Sequence, residues 1–197
     1  MLSAGIAVSD LGSQINRLVT VVGSAQIIEK DPRWGAAFDL GRKLAEAGWT
    51  VVTGGYRGLM AAAARGAKSV GGHTVGLPIS SWTHLAPDPS HDELWWCHNF
   101  SARASHILSS RAVVVLDGGV GTLSEMAIVW STAQTENSSP ALYLVGDVWH
   151  HLYPILISTL LVSSDDAAVP ILVSTNSEVI RHLTENAPRR SGSGPRG

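Results

Sequence analysis

The chain contains little cysteine, little lysine and no long uninterrupted apolar segment. Cys97 is the only cysteine among 197 residues, which excludes an intramolecular disulfide and a CxxC zinc site and predicts a reducing, cytoplasmic environment. The only lysines, Lys30, Lys43 and Lys68, lie on or beside predicted helices, so a pyridoxal Schiff base has no good anchor at a strand end. Because no apolar run reaches about 18 residues, the sequence predicts no membrane span and no membrane partner.

The charge balance is close to neutral, with 14 basic residues, 16 acidic residues and a net charge of −2. Basic residues are scattered apart from a few arginines near the C-terminus, so we predict no nucleic-acid partner. A hydrophobic content of 45% is sufficient for one globular domain with a substantial core. We expect a flexible lead-in over residues 1–17, a single Rossmann-like domain over 18–186 and a disordered tail over 187–197.

Several cofactor-binding motifs are missing. The dinucleotide fingerprint requires a third glycine, where Ser124 stands, and an acidic residue at a second strand end, whereas Glu136 follows a predicted helix. An NAD-dependent oxidoreductase is therefore disfavoured, and the lack of a GxxxxGK[ST] sequence excludes a Walker loop. The 8 histidines show no ligand spacing such as HExxH, so we predict no metal site.

Short apolar runs alternate along the chain with segments of helical periodicity. The runs predict strands at 18–23, 50–53, 73–77, 94–97, 112–116, 141–145 and 171–173. The periodic segments predict a helix from Pro32, with Asp31 as its cap, to Gly48, and further helices at 58–69, 100–109, 123–135, 148–160 and from 177. This alternation predicts an α/β fold with a Rossmann-like, doubly wound, mainly parallel sheet and helices on both faces. Ligands of such folds bind beyond the carboxyl ends of the strands.

Glycine-rich segments follow the strands at three points of the predicted sheet. The sequence DGGVGTLSE at 117–125 follows a buried strand and opens a helix, an arrangement typical of a phosphate-binding loop. A second turn, GGYR, occupies 54–57, and a Gly-Ser pair at 23–24 ends the first strand. The predicted ligand-binding residues are Ser24, Gly54, Gly55, Arg57, Gly118, Gly119, Val120, Gly121 and Thr122. The alternative is that these glycines only form turns, which is their commonest use.

The sequence GGYRGLM at 54–60, followed by an Ala-rich helix and by GVGTLSE at 119–125, resembles the Lonely Guy (LOG) family. Arg103 and Gln134 also match family positions, and the similarity runs from about residue 18 to 160. The resemblance implies hydrolysis of a nucleoside 5′-monophosphate without a cofactor. It also implies a homodimer or homotetramer with sites near subunit contacts, for which the apolar face of the helix at 123–135 is a candidate.

Glu125 and Arg103 are the residues to which the resemblance assigns catalysis. A carboxylate near the anomeric carbon stabilises positive charge on the ribose and orients water, and a guanidinium pairs with it and holds ribose or phosphate oxygens. Spacing alone is also compatible with purely structural roles for both residues. Thr122 to Glu125 fits a T-x-x-E capping box, and an arginine on a helix is often merely solvated.

Two positions depart from the family pattern, because Asp117 replaces a proline and Ala104 replaces a lysine. The molybdenum cofactor carrier proteins share the LOG-like fold, so non-catalytic binding of molybdenum cofactor, a phosphorylated pterin, is the alternative function. A nucleotide-sensing or structural family member is a third. Trp82, Trp95 and Trp96 in or beside the irregular segment 79–92 are core or contact aromatics, or they stack on a planar ring.

Overall fold

The computed structural model describes residues 17–136 and 139–185. The predicted lead-in, apart from residue 17, and the predicted tail lie outside the described residues. Seven strands form one sheet: β1 (Leu18–Val22), β2 (Thr50–Thr53), β3 (Thr74–Gly76), β4 (Glu93–Leu94), β5 (Ala112–Val115), β6 (Ala141–Val145) and β7 (Pro170–Val173). Every strand pair in this sheet is parallel, so the predicted Rossmann-like fold is confirmed.

The strand order is β4-β3-β2-β1-β5-β6-β7. The chain thus builds outward from β1 in one direction and then returns to β5 to build in the other. This reversal creates a crevice between the carboxyl ends of β1 and β5, which is where ligands of doubly wound folds bind.

Seven helices occur among residues 17–136 and 139–185. They are α1 (Pro32–Glu46), α2 (Leu59–Lys68), α3 (Phe100–Leu108), α4 (Val120–Thr135), α5 (Asp147–Thr159), α6 (Ser164–Ala167) and α7 (Asn176–Glu185). Asp31 caps α1 as predicted, because its side chain accepts a hydrogen bond from the Arg33 amide at 2.9 Å. The short helix α6 carries no apolar periodicity and was not predicted.

Alternate residues of the central strands enter two separate cores, one on each face of the sheet. Val19 and Val21 pack with α1, α2 and α7, whereas Val22 and Val113 pack with α3, α4 and α5. Helices therefore cover both faces, which explains why the central strands are apolar on both sides.

Two element boundaries differ from the prediction at places that matter for the site. Helix α4 begins at Val120 rather than at residue 123, because the backbone through the glycine-rich segment is already helical there. Strand β4 covers Glu93–Leu94 rather than 94–97, and Cys97 forms only an isolated bridge to Ile79.

Candidate functional site

A cleft of about 1170 Å³ lies at the carboxyl ends of the central strands. Its walls are the loop at 23–29 after β1, the turn at 56–58 after β2, the loop between β3 and β4, and the first turn of α4. Arg103 from α3 and Glu125 from α4 lie in the same cleft. Because the cleft coincides with the reversal of strand order, the fold itself brings these distant segments together.

Arg103 and Glu125 form a buried ion pair. The Nη2 atom of Arg103 donates to Oε1 of Glu125 at 2.5 Å, and the two residues are 4% and 5% exposed. Burial raises the pKa of the Glu125 carboxyl above its ordinary range, and the charge of Arg103 opposes that rise. The predicted pairing of these residues is present in the structure. The capping box is wrong, because α4 begins before Thr122 and the Glu125 carboxylate binds Arg103.

Gly54 and Gly55 lie behind the cleft wall and do not line it. A Cβ at Gly54 would overlap the Arg103 guanidinium, and the Gly54 carbonyl accepts a 3.4 Å hydrogen bond from Nη1 of Arg103. Gly55 has a φ of +83°, which favours glycine, and its carbonyl accepts from the Asp88 amide at 2.8 Å. These two glycines therefore support Arg103 and the neighbouring loop from behind.

The first turn of α4 presents bare backbone to the cleft. Gly119, Val120 and Gly121 are exposed, and no side chain of the described residues caps the helix start. A Cβ at Gly119 or Gly121 would meet no described atom within 4 Å, so the packing of the protein does not demand glycine at either position. Amide groups at the start of a helix lack intrahelical partners and form a natural anion site.

Gly118 and Thr122 form the underside of this turn. A Cβ at Gly118 would overlap the Thr122 side chain, which is buried and lines the cleft. Gly118 itself does not line the cleft. Of the glycines predicted to bind ligand, Gly119 and Gly121 therefore face the cleft, whereas Gly54, Gly55 and Gly118 make room for neighbouring side chains or turns.

Ser24 connects the loops around the cleft. Its amide donates to the Asp117 carbonyl at 2.9 Å, and its carbonyl accepts from the Leu59 amide at 2.9 Å. The Ser24 hydroxyl accepts from the Gln26 amide at 3.0 Å. Ser24 thus fixes the β1 loop against the start of the glycine-rich segment 117–125 and against the first residue of α2. Arg57 also lines the cleft, as an exposed side chain at its rim.

The carboxylate of Asp117 lies outside the cleft, against the start of α5. A Cβ at Gly146 would overlap the Oδ1 atom of Asp117, and Oδ2 lies 3.7 Å from Nη1 of Arg33. Oδ1 is buried and has no hydrogen-bond partner among the described residues. Burial raises the pKa of Asp117, while the charge of Arg33 opposes the rise. The negative charge that replaces the family's proline is therefore directed away from the candidate anion site.

One aromatic side chain of the loop between β3 and β4, Trp82, lies over the Arg103 guanidinium. The Trp82 ring lies 5.9 Å from Cζ of Arg103 and stacks on Tyr56 with centroids 6.0 Å apart. Neither Trp95 nor Trp96 lines the cleft, and Trp95 packs against His106 instead. Tyr56 was not predicted as a site residue, although its position directly after the Gly-Gly turn marks it as part of the same wall.

Sequence analysis also missed a group of charged residues along the cleft. Arg65 of α2 bonds Glu29 at 2.5 Å and Asp88 at 3.3 Å, and its guanidinium lies 6.0 Å from the Trp34 ring. These contacts join residues 36 and 23 positions apart, so no local sequence pattern signals them. They connect the loops on two sides of the cleft.

No group of three or more His, Cys, Asp or Glu side chains that would hold a metal ion occurs within residues 17–136 and 139–185. Within those same ranges, no helix has the length and apolar character needed to cross a bilayer. The acidic and basic side chains that do meet in the cleft are arranged as ion pairs, chiefly Arg103 with Glu125 and Arg65 with Glu29 and Asp88.

Fold and site together define a Rossmann-like α/β protein whose candidate anion site lies at the reversal point of the sheet. The chain belongs to the SLOG cluster4 family, whose model matches residues 16–135. This result confirms the predicted LOG-like membership.

Two relatives whose names state an activity come from Mycobacterium species. The cytokinin riboside 5′-monophosphate phosphoribohydrolase of Mycobacterium tuberculosis is 35% identical over 120 residues, which are 58% of this chain and 63% of that protein. The protein of the same name from Mycobacterium marinum is 33% identical over 116 residues and 61% of its length. The match therefore spans less than two thirds of either protein.

Solved structures with this fold include molybdenum cofactor proteins. The molybdenum cofactor binding protein of Rippkaea orientalis is 25% identical with a TM-score of 0.69, covering 86% of this chain and 96% of that one. The molybdenum cofactor carrier protein of Chlamydomonas reinhardtii, at 22% identity and a TM-score of 0.67, covers 86% and 97% and shares the fold.

Proposed function

We propose that the protein binds a nucleoside 5′-monophosphate and hydrolyses its N-glycosidic bond, releasing the free base and ribose 5-phosphate. The observation that carries this proposal is the buried Arg103–Glu125 pair beside the uncapped first turn of α4 in one cleft. Within one cleft, the backbone amides of the α4 turn suit the phosphate of a sugar phosphate, and the carboxylate suits the anomeric end of its sugar. The phosphoribohydrolase names of the mycobacterial relatives support the same reaction.

The phosphate binds at the first turn of α4. Gly119 and Gly121 have no side chains and leave open space there, so a phosphate oxygen can approach their amides. Thr122 and Ser24 supply hydroxyls at the same wall, and Arg57 supplies positive charge at the rim. The helix dipole adds to the attraction for a doubly charged phosphate.

Glu125 acts on the sugar. Departure of the base leaves positive charge on C1′ and on the ring oxygen of the ribose, and an adjacent carboxylate stabilises that charge. The hydrogen bond from Arg103 occupies Oε1, so Oε2 is the oxygen that orients and deprotonates the attacking water. Water supplies the hydroxyl that ends on C1′, and the base leaves with the bonding electrons and takes up a proton.

Burial makes the Glu125 carboxylate a stronger base for this reaction. A carboxyl whose pKa is raised is a stronger base once ionised, and Arg103 keeps the ionised form accessible. The Arg103 guanidinium also lines the cleft, so its positive charge favours the ribose and phosphate oxygens that bind there. No resident cofactor takes part in this scheme.

Product analysis tests the proposal. Purified protein is incubated with AMP, CMP, GMP and UMP, and the free base and ribose 5-phosphate are quantified by chromatography. Wild type releases equimolar base and ribose 5-phosphate from at least one nucleotide, and Glu125→Gln reduces that rate at least about 100-fold. The control is Glu136→Gln, the same substitution at the exposed end of the same helix, which retains the wild-type rate. Failure of all four nucleotides, or equal rates for both variants, contradicts the proposal.

The second candidate function is non-catalytic carriage of molybdenum cofactor. Trp82 lines the cleft and offers an aromatic face to a flat pterin ring, and the Rippkaea orientalis protein is similar over 86% of this chain. The cofactor's phosphate would occupy the same α4 turn. Stoichiometric molybdenum and pterin in the purified protein, with no base release from nucleotides, would establish this function instead.

We further propose that residues 18–186 act as a single cytoplasmic domain and that the protein forms a homodimer or homotetramer. The lone buried thiol of Cys97 is compatible with a reducing compartment. Exposed apolar side chains at the end of α5, Ile155 at 59% and Leu160 at 53% exposure, are available for a subunit contact. Light scattering at micromolar concentration gives the assembly state directly, and a monomer mass would contradict it.

A further inference from the structure

We propose that Trp82 is a positioning residue, whose indole holds the Arg103 guanidinium against Glu125. The inference rests on the proposed function, because it assigns Trp82 a part in the same chemistry. Two observations carry it. The contacts of Arg103 other than the pair with Glu125 hold the guanidinium only weakly, and Trp82 is itself held firmly by neighbouring residues.

The hydrogen bonds of Arg103, apart from the one to Glu125, do not determine its orientation. Nη1 lies 3.4 Å from the Gly54 carbonyl and 3.5 Å from the Leu77 carbonyl, both at the long limit for a hydrogen bond. Nε is buried and has no partner within the described part of the chain. A guanidinium that uses one strong hydrogen bond can still rotate about it, so packing must supply the rest of the constraint.

Packing on the guanidinium comes from Gly54 and Trp82. The backbone of Gly54 approaches so closely that a Cβ there would lie 2.9 Å from Cζ of Arg103. The Trp82 ring centroid lies 5.9 Å from the same carbon, within the range of a cation–π interaction. Indole is the most favourable partner for such a contact, and burial strengthens it because water competes less.

Trp82 is held in turn by Tyr56. The two rings are stacked with an interplanar angle of 25°, and the Tyr56 hydroxyl accepts a 2.9 Å hydrogen bond from the Ile79 amide. Tyr56 is only 5% exposed and follows Gly54 and Gly55 directly in sequence. One turn at the end of β2 therefore supports both the arginine and the indole that covers it.

The loop that carries Trp82 is fastened to the same turn. The Asp88 amide donates to the Gly55 carbonyl at 2.8 Å, and Nε2 of His91 lies 2.7 Å from Oγ1 of Thr53, which accepts from the Gly55 amide. Nδ1 of His91 lies 3.0 Å from the Asp88 carbonyl. These hydrogen bonds hold the loop that carries Trp82 close to the turn at the end of β2.

Steady-state kinetics distinguishes a positioning role of Trp82 from direct stacking of its indole on the base. If Trp82 acts through Arg103, its removal lowers kcat more than it changes KM, and the loss disappears once Arg103 itself is gone. If the indole only stacks on the base, its removal raises KM and leaves kcat unchanged.

The test compares Trp82→Leu with Trp82→Phe, and uses Trp96→Leu as the control because Trp96 is 57% exposed and does not line the cleft. We expect Trp82→Leu to lower kcat at least 10-fold with less than a threefold change in KM, roughly the effect of one lost positioning contact. Trp82→Phe restores most of the rate because it keeps an aromatic face. An unchanged kcat, or a change confined to KM, overturns the proposal.

A double-mutant cycle in urea unfolding separates this inference from the proposed function. The cycle uses Trp82→Leu, Arg103→Met and the double variant, with Arg103→Lys replacing Arg103→Met if the latter does not fold. We expect the double variant to lose less free energy of unfolding than the two single variants lose together. Such a difference reports contact between the two side chains. Additive effects overturn the inference whatever the enzyme activity. If the two substitutions are coupled in a protein that releases no base, the contact between Trp82 and Arg103 is supported and only the proposed hydrolase activity is contradicted.

Discussion

Gly54 lies so close to Arg103 that a single methyl group on Gly54 would overlap the guanidinium. The residue after β2 therefore decides where the arginine of α3 can lie, although 49 positions separate them in sequence. The glycine in this turn serves the ion pair of the cleft rather than the turn alone.

Gly54→Ala is expected to impair the site and the fold together. The added Cβ displaces Arg103, which leaves Glu125 without its partner in a buried position, so the free energy of unfolding falls by about 2–4 kcal/mol. Base release falls with it. Urea denaturation and product assays measure both quantities, with Gly48→Ala as a comparison, since no described atom lies within 4 Å of a Cβ there but φ is +82°. A Gly54→Ala protein with wild-type stability and activity would contradict this role for Gly54.

Gly121→Ala is expected to separate stability from binding. Alanine suits a helix better than glycine, and open space surrounds this position, so the free energy of unfolding rises by about 0.5–1 kcal/mol. The new methyl group stands where the phosphate approaches, so AMP binding weakens at least about 10-fold. The matched control is Gly35→Ala on α1, which also has open space around it and does not line the cleft. That variant should gain similar stability and keep AMP affinity, and equal affinity losses would contradict the prediction.

Asp117→Asn is expected to stabilise the protein at neutral pH and not at acidic pH. Burial raises the pKa of Asp117 in the folded state, so the folded protein binds a proton more readily than the unfolded chain does. The ionised carboxylate therefore costs stability above the raised pKa, and this cost shrinks as pH falls and vanishes below the ordinary value near 3.8.

The asparagine variant lacks that cost, so its advantage in free energy of unfolding is present at pH 7 and disappears near pH 3. Urea unfolding of both proteins across this pH range measures the difference. A stability advantage of the asparagine variant that grows as pH falls would contradict the raised pKa assigned to Asp117.

The sequence predicted the elements whose signals are local. The cap and proline at 31–32 marked the start of α1, and the apolar run with flanking glycines marked β2 to the residue. The start of α4 was predicted one turn late, because a segment with three glycines favours a turn by propensity. Tertiary packing of the buried Thr122 and Glu125 makes that segment helical instead.

The candidate site was predictable only in part. Resemblance to a family supplied Arg103 and Glu125, and the structure brings them within 2.5 Å across 22 positions of sequence. No local pattern separates Gly119 and Gly121, which face the cleft, from Gly118, which makes room for Thr122. That distinction depends on which side of the backbone faces the cleft at each glycine, and only the packed structure determines this.

The central claim is that the first turn of α4 holds a phosphate while Glu125 faces the sugar. Calorimetric titration of the Glu125→Gln protein with AMP and with adenosine tests this arrangement, because the ligands differ only in the phosphate and this variant is expected to hydrolyse AMP at least about 100-fold more slowly than wild type. We expect AMP to bind at least about 100-fold more tightly than adenosine. Equal affinities, or no binding of AMP, would contradict it.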